Sequence, residues 1–109
     1  MLILFDNGTP RTLARFLIDQ HTVTEARSQG WAQLENGELL SKAEAAGFEV
    51  LVTTDKNISY QQNLTSRKIA IVVLGKGRWT LIKRHVAEVV EAVNAATPGS
   101  FTEVAIPFN

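Results

Sequence analysis

The chain has 109 residues, a length typical of one domain with a single buried core, so we expect one domain over residues 1–109. Its hydrophobic fraction of 45% and charged fraction of 20% exclude a disordered chain, and the lack of cysteine excludes disulfide scaffolds and thiolate metal sites. No apolar run approaches the roughly 18 residues of a membrane span, and Met1 begins no basic and apolar secretion leader. We therefore expect a cytoplasmic protein without a membrane partner.

The formal net charge is zero, but the charges are unevenly distributed. Residues 56–85, called the basic segment below, contain seven lysines and arginines and no acidic residue, whereas the remainder has four basic residues and all eleven acidic ones. Such asymmetry is typical of a protein with a polyanionic partner. The alternative is that these cations are scattered over solvated faces and only balance acids from other segments.

The first third of the chain predicts a strand, a helix and a second strand. Residues 2–5 are apolar and predict a buried strand. Thr9 followed by Pro10 is typical of a helix start. Residues 21–25 alternate weakly and predict a short strand near the edge of a sheet. The apolar positions expected to face the core from the helix are Leu13, Phe16, Leu17 and, less strongly patterned, Ile18.

The middle of the chain predicts a loop, a helix and the strand on which the function depends. Residues 26–35 have no sustained period and indicate a loop. Asn36 is a favoured N-cap for a helix that Gly47 ends in the left-handed conformation. Residues 48–52 form a short apolar, β-branched run, the pattern of a strand buried on both faces of a parallel sheet. Glu38 then lies in the first turn of the helix.

The last part of the chain completes an alternating order of strands and helices. Residues 68–74 are the most strand-like run, residues 79–96 predict a long helix, and residues 101–108 predict an added edge strand or an arm that packs on another subunit. Crossovers too long for hairpins indicate a mostly parallel sheet. The predicted fold class is α/β, a three-layer α/β/α sandwich with a central sheet of about five strands.

Acidic residues follow two of the predicted strands at the edge where ligands gather in open α/β sheets. Asp6 follows the first strand and Asp55 follows the strand of residues 48–52. Glu38, at the start of a helix that can point to the same edge, is a candidate third carboxylate. The alternative is that each aspartate only caps the following helix and that Glu38 only complements its helix dipole.

Three carboxylates in one place repel each other and need a cation. Mg²⁺ or Mn²⁺ prefers oxygen ligands and suits such a cluster better than zinc does. A site of this kind serves phosphodiester hydrolysis, because a bound ion lowers the pKa of water and stabilises the leaving oxygen. Neighbouring polar residues can orient the carboxylates or the metal-bound water; those proposed for this supporting role are Asn7, Thr53 and Asn57.

Three motifs resemble the PIN-like superfamily, and the resemblance covers essentially the whole chain. They are LFDNGTPR at the end of the first strand, the helix-opening NGELL, and LVTTDKN, which is similar to the T-x-D stretch of PIN domains. The resemblance is to small single-domain members of this superfamily. It implies an Mg²⁺- or Mn²⁺-dependent ribonuclease, with Asp6 and Asp55 as ligands and Glu38 as the third, Glu35 being a nearby competitor. Many PIN domains are toxins of toxin–antitoxin pairs.

The chain departs from the family pattern in two places. Relatives often carry an acid directly after the first aspartate, where this chain has Asn7, and PIN nucleases commonly offer a fourth acid, for which no good candidate follows Asp55. Fewer carboxylates predict weaker metal binding.

The leading hypothesis is therefore a metal-dependent endoribonuclease whose basic segment holds single-stranded RNA, with an antitoxin and a second copy of the chain as further candidate partners. The residues proposed to contact RNA are Lys56, Arg67, Lys68 and Arg78. The alternative is a PIN-like module with weak or no catalysis that binds RNA or a protein. A receiver-type phosphoacceptor also places acids after its first and third strands, but it needs a paired acid where Asn7 stands and a late lysine after a strand.

Overall fold

The computed structural model describes residues 1–56, 58, 67–75 and 77–107. Five strands form one sheet in the order β2-β1-β3-β4-β5, and every neighbouring pair is parallel. This confirms the predicted α/β class with a parallel sheet of about five strands. The strands are β1 (Leu2–Phe5), β2 (Thr22–Glu25), β3 (Val50–Thr53), β4 (Ala70–Leu74) and β5 (Phe101–Val104).

The helices connect the strands and differ in three places from the prediction. The predicted helix after Pro10 is a 3₁₀-helix, and the predicted long helix over residues 79–96 is interrupted by a 3₁₀ turn at Lys83–His85. A second short 3₁₀-helix occupies part of the predicted loop, at Ala26–Gln29. The α-helices of the described residues are α1 (Asn36–Ala45), α2 (Trp79–Ile82) and α3 (Val86–Asn94).

Side chains of the three central strands alternate between two separate hydrophobic clusters, one on each face of the sheet. In β3, Val50 and Val52 join the first cluster and Leu51 joins the second. The first cluster includes Leu13 and the α3 residues Val89 and Val93, and the second includes the α1 residues Leu39, Leu40 and Ala43. Because consecutive strand residues point to opposite faces, the continuous apolar runs of β3 and β4 reflect burial on both sides.

The prediction that Phe16 and Ile18 are buried is wrong. Phe16 is 50% exposed and Ile18 is 59% exposed, whereas Leu13 and Leu17 are buried as expected. The 3₁₀-helix ends at Phe16, and Leu17 is its C-cap, so the α-helical stripe predicted from Leu13 to Ile18 does not form. Phe16 instead lies near the surface with its ring centroid 5.9 Å from that of Trp79.

The structure confirms the predicted end of α1 and the predicted edge strands. Gly47, which follows α1, has φ of 91°, the left-handed conformation expected there. β2 and β5 are the two edge strands, as their weaker patterns predicted. Among the described residues, no helix combines the length and the apolar character needed to traverse a lipid bilayer.

Candidate functional site

The sheet reverses its direction of growth between β1 and β3. From β1 the chain crosses to β2 on one side, and β3, β4 and β5 then extend the sheet on the other side. In open α/β sheets a ligand crevice lies at such a switch point, outside the carboxyl ends of the two strands. Asp6 directly follows β1, and Asp55 lies two residues after β3. The two predicted acidic residues therefore flank the switch point.

Thr53, the last residue of β3, links the two aspartates. Its hydroxyl Oγ1 donates a hydrogen bond to Asp6 Oδ2 at 2.8 Å and accepts one from the Asp55 backbone N–H at 3.1 Å. Thr53 is fully buried, while Asp6 and Asp55 are half-buried. A buried hydroxyl that both donates and accepts in this way fixes the position of one carboxylate relative to the backbone of the other.

The loop after β1 is attached to the end of β3. The Thr9 backbone N–H donates to the Asp6 carbonyl at 2.9 Å and closes a turn. The Asp6 backbone N–H and the buried Thr9 hydroxyl both donate to the Val52 carbonyl, at 3.0 and 2.9 Å. Thr9 therefore does not cap the following helix, where no side-chain cap is formed, but holds the Asp6 loop against β3.

Thr54 packs between the loops that follow β1 and β4. A Cβ atom at Gly8 would lie 2.5 Å from Thr54 Oγ1, and one at Gly77 would lie 3.6 Å from Thr54 Cγ2 and 3.5 Å from the Gly8 carbonyl oxygen. The Gly8 backbone lies so close to Thr54 that a side chain at position 8 would collide with the Thr54 hydroxyl. Three loops at the carboxyl edge meet around one residue.

Asn36 is the residue of α1 that contacts an aspartate of the site. Its Nδ2 donates to Asp55 Oδ2 at 2.8 Å. The sequence predicted Asn36 as the N-cap, but it is the first residue of α1, Glu35 occupies the cap position, and no side-chain capping bond forms. The sequence offered no signal for this contact, because only the fold brings Asn36 to Asp55.

Glu38 lies in the first turn of α1, as predicted, and is exposed. Residues two positions apart on a helix do not face the same way, so the face that brings Asn36 to Asp55 directs Glu38 elsewhere. Glu35 is also exposed. Within residues 1–56, 58, 67–75 and 77–107, no group of three acidic or histidine side chains is close enough to hold a metal ion. The structure thus unites Asp6 and Asp55 but does not bring either glutamate to them.

The three supporting residues predicted around the site have different positions. Thr53 contacts both aspartates, as described above. Asn7 donates from its backbone N–H to Asp6 Oδ1 at 2.8 Å, while its side-chain Nδ2 donates to the Ala32 carbonyl at 2.7 Å and ties the Asp6 loop to the segment before α1. Asn57 lies outside the described residues.

The predicted RNA-contacting cations divide between the two edges of the sheet. Lys56 follows Asp55, and Arg78 precedes α2 in the connection after β4; both are exposed at the carboxyl edge. Arg67 and Lys68 precede β4 and lie at the amino edge. Arg67 is half-buried, and its guanidinium lies 3.4 Å from a Glu44 carboxylate oxygen and 3.0 Å from the Ser41 hydroxyl. The structure therefore brings two of the four cations to the edge that holds the aspartates.

A further acid at the carboxyl edge was not anticipated from the sequence. Glu25 ends β2, and its two carboxylate oxygens both accept from Arg11 Nε at 3.0 Å. Both residues line a pocket of about 320 Å³ beside the end of β1. A weakly alternating five-residue pattern gave no signal that its last residue would stand at the same edge as Asp6.

The arrangement offers a pair of fixed carboxylates with polar, uncharged neighbours and two exposed cations on the same edge. Carboxylate, amide and hydroxyl oxygens are ligands that hard divalent ions prefer. Comparisons with protein-family models, curated proteins and solved structures find no match for the chain.

Proposed function

We propose that the chain is a PIN-like α/β/α protein that acts as a Mg²⁺- or Mn²⁺-dependent endoribonuclease on single-stranded RNA. The observation that carries the proposal is the placement of Asp6 and Asp55 on the two sides of the switch point, joined through Thr53. A pair of aspartates that only capped helices would not need a shared buried hydroxyl. The resemblance of the motifs around both aspartates to PIN domains supplies the reaction type.

The donor set fits Mg²⁺ or Mn²⁺ bound with part of its water shell. Mg²⁺ is commonly held by one or two carboxylates together with waters and substrate phosphates, so two protein carboxylates suffice when the phosphate arrives with the ion. Asp6 and Asp55 would hold it. When bound, the ion would supply an activated water and charge stabilisation at the leaving oxygen. Thr53 would keep the Asp6 carboxylate aimed at the crevice.

The cations of the carboxyl edge would position the RNA backbone. Lys56 and Arg78 are exposed on the connections that follow β3 and β4, on the same edge as the aspartates. Phosphate contacts from lysine and arginine fix the register of a nucleic acid without reading its sequence. Together with the metal, two cations flanking the crevice would neutralise the phosphates next to the scissile bond.

A second candidate function is a PIN-like module that binds RNA or a protein without efficient cleavage. The absence of a third acidic or histidine side chain beside Asp6 and Asp55, among the residues described, favours it. In either case the chain would suit the toxin role of a toxin–antitoxin pair, with an antitoxin or a second copy of the chain as protein partner. A short gene for a DNA-binding protein next to this one would support that role.

Cleavage of a labelled single-stranded RNA, measured beside RNA binding and with Mg²⁺, Mn²⁺ or EDTA, tests the proposal. We expect metal-dependent cleavage by the wild type, and loss of cleavage with retained binding for Asp6→Asn and Asp55→Asn. Asp19→Asn is the matched control, because Asp19 is an exposed aspartate in the turn before β2, away from the carboxyl edge. RNA binding with no cleavage in either metal would establish the binding module instead, and cleavage that survives Asp55→Asn would refute the proposed site.

A further inference from the structure

The Asn36–Asp55 contact has the dimensions of two neighbouring ligands on one metal ion. Asn36 Nδ2 and Asp55 Oδ2 are 2.8 Å apart. Two oxygens that occupy adjacent corners of an octahedron with Mg²⁺ bond lengths of about 2.1 Å are separated by about 3.0 Å. A carboxylate oxygen in place of the Asn36 amide nitrogen would therefore stand where a second ligand beside Asp55 belongs.

The amide at this place opposes metal binding in two ways. An N–H group is a donor and cannot ligate a cation, and here it occupies the Asp55 oxygen Oδ2. Turning the amide over would present its carbonyl oxygen, but that oxygen carries no formal charge. A carboxylate would add a full negative charge beside Asp55, and its repulsion of Asp55 would be relieved only by a bound cation.

We propose that Asn36 occupies the position of a third metal-binding carboxylate, and that its amide keeps the affinity of the Asp6–Asp55 pair for divalent cations low. The inference rests on the proposed function for the identity of the ion. It assigns the third position of the site to Asn36 and not to Glu38, whose side chain is exposed and two residues further along α1. A low intrinsic affinity means that the wild type binds Mn²⁺ weakly on its own and more tightly with the phosphate that the substrate brings.

The test is titration of Mn²⁺ into the purified metal-free protein, followed by melting temperature and by calorimetry, for the wild type and four variants. Asn36→Asp adds the carboxylate, and Asn36→Ala removes the amide without adding one. Glu38→Gln and Asp55→Asn report on the two predicted ligands separately. None of these readouts requires cleavage of RNA.

We expect Asn36→Asp to melt below the wild type without metal and to gain more from Mn²⁺, with a dissociation constant at least tenfold lower. Asn36→Ala removes the donor to Asp55 Oδ2 but adds no charge, so it should respond to Mn²⁺ at least as strongly as the wild type and less strongly than Asn36→Asp. Glu38→Gln should keep the wild-type response. If Asn36→Asp is unfolded without metal, refolding on addition of Mn²⁺, seen by circular dichroism, is the expected result. An Mn²⁺ response of Asn36→Asp no larger than that of the wild type or of Asn36→Ala, or no refolding by Mn²⁺, would overturn the inference.

The same titration keeps the two proposals apart. The proposed function requires a wild-type response to Mn²⁺ that Asp55→Asn abolishes, whatever Asn36→Asp does. Loss of the Mn²⁺ response in Glu38→Gln would return the third position to Glu38 and refute the assignment to Asn36 while leaving the metal site in place.

Discussion

The buried hydroxyl of Thr53 donates to Asp6 Oδ2 across the boundary between β1 and β3, at 2.8 Å. Thr53 belongs to a strand whose four residues are all buried, so this hydroxyl cannot exchange its partner for water without a change in the sheet. The Asp6 carboxylate is therefore fixed by the strand that delivers Asp55. The Thr53 hydroxyl thus links the two aspartates, and a single isosteric substitution of Thr53 can remove both of its hydrogen bonds.

Thr53→Val keeps the shape of the side chain and removes its hydroxyl. The change removes a donor to Asp6 and an acceptor for the Asp55 N–H, which should destabilise the fold by about 1–3 kcal/mol. Urea unfolding measures this loss, and the shift of melting temperature with Mn²⁺ should fall because Asp6 is no longer fixed.

Thr53→Ser is the control, because it keeps the hydroxyl and loses only a buried methyl group. We expect a stability loss of about 1 kcal/mol or less and an Mn²⁺ response like that of the wild type. Equal Mn²⁺ responses of the Val and Ser variants would show that the Thr53 hydroxyl supports the fold alone.

The close approach of Gly8 to Thr54 provides a test of how the loops at the carboxyl edge are packed. Gly8→Ala would place a Cβ atom 2.5 Å from Thr54 Oγ1, and we expect this overlap to cost about 1–3 kcal/mol. Because the colliding atom belongs to Thr54, Gly8→Ala should cost much less when Thr54 is already alanine. The four proteins of this double-mutant cycle, unfolded in urea, should give a coupling of about 0.5 kcal/mol or more. Additive losses would contradict the packing described.

The sequence was sufficient to predict the sheet because its signal is local and repeated. Apolar runs in β1, β3 and β4 are continuous since both faces are buried, and this pattern distinguishes parallel strands from half-exposed ones. The placement of Asp6 and Asp55 at one edge follows from the direction that all parallel strands share. The order of the strands is not encoded in any one of them, so the switch point between β1 and β3 emerges only from the structure.

The rest of the site could not be predicted because it depends on how α1 is rotated. Asn36 and Glu38 are two residues apart, and an acid is the more obvious ligand, but the contact of Asn36 with Asp55 depends on packing between α1 and the sheet. The position of a charged side chain is equally hard to predict from the sequence, as Arg67 shows. In the sequence it belongs to the basic segment, whereas its guanidinium is held by Glu44 and Ser41 at the other edge.

In the 3₁₀-helix after β1, the larger apolar side chain should contribute less to the stability of the fold than the smaller one. Leu13 is fully buried in the first hydrophobic cluster, so Leu13→Ala should cost about 2–5 kcal/mol. Phe16 is larger but 50% exposed, and we expect Phe16→Ala to cost about 1 kcal/mol, mainly from its ring contact with Trp79. Urea unfolding of both variants decides this. A greater loss for Phe16→Ala would contradict the exposure of Phe16 and favour the α-helix predicted from the sequence, in which both side chains face the core.

The last prediction uses two pairs of cations that differ in location but not in charge. Lys56→Gln with Arg78→Gln removes two positive charges from the carboxyl edge, and Arg67→Gln with Lys68→Gln removes two from the amino edge. If RNA lies along the aspartate edge, the first double variant should bind single-stranded RNA more weakly. Each lost phosphate contact lowers the slope of log affinity against log salt by about 0.7, so the slope should fall by about 1.4.

The second double variant should retain the wild-type salt slope, because the Arg67 guanidinium is already paired with Glu44. Its expected defect is in stability, about 1 kcal/mol or less for a partly exposed ion pair. The measurements are fluorescence anisotropy of labelled RNA at a series of NaCl concentrations and urea unfolding of both variants. Equal falls in slope would mean that RNA responds to net charge alone. A larger fall for the Arg67 and Lys68 pair would place the RNA at the amino edge, away from Asp6 and Asp55, and would contradict the proposed nuclease site.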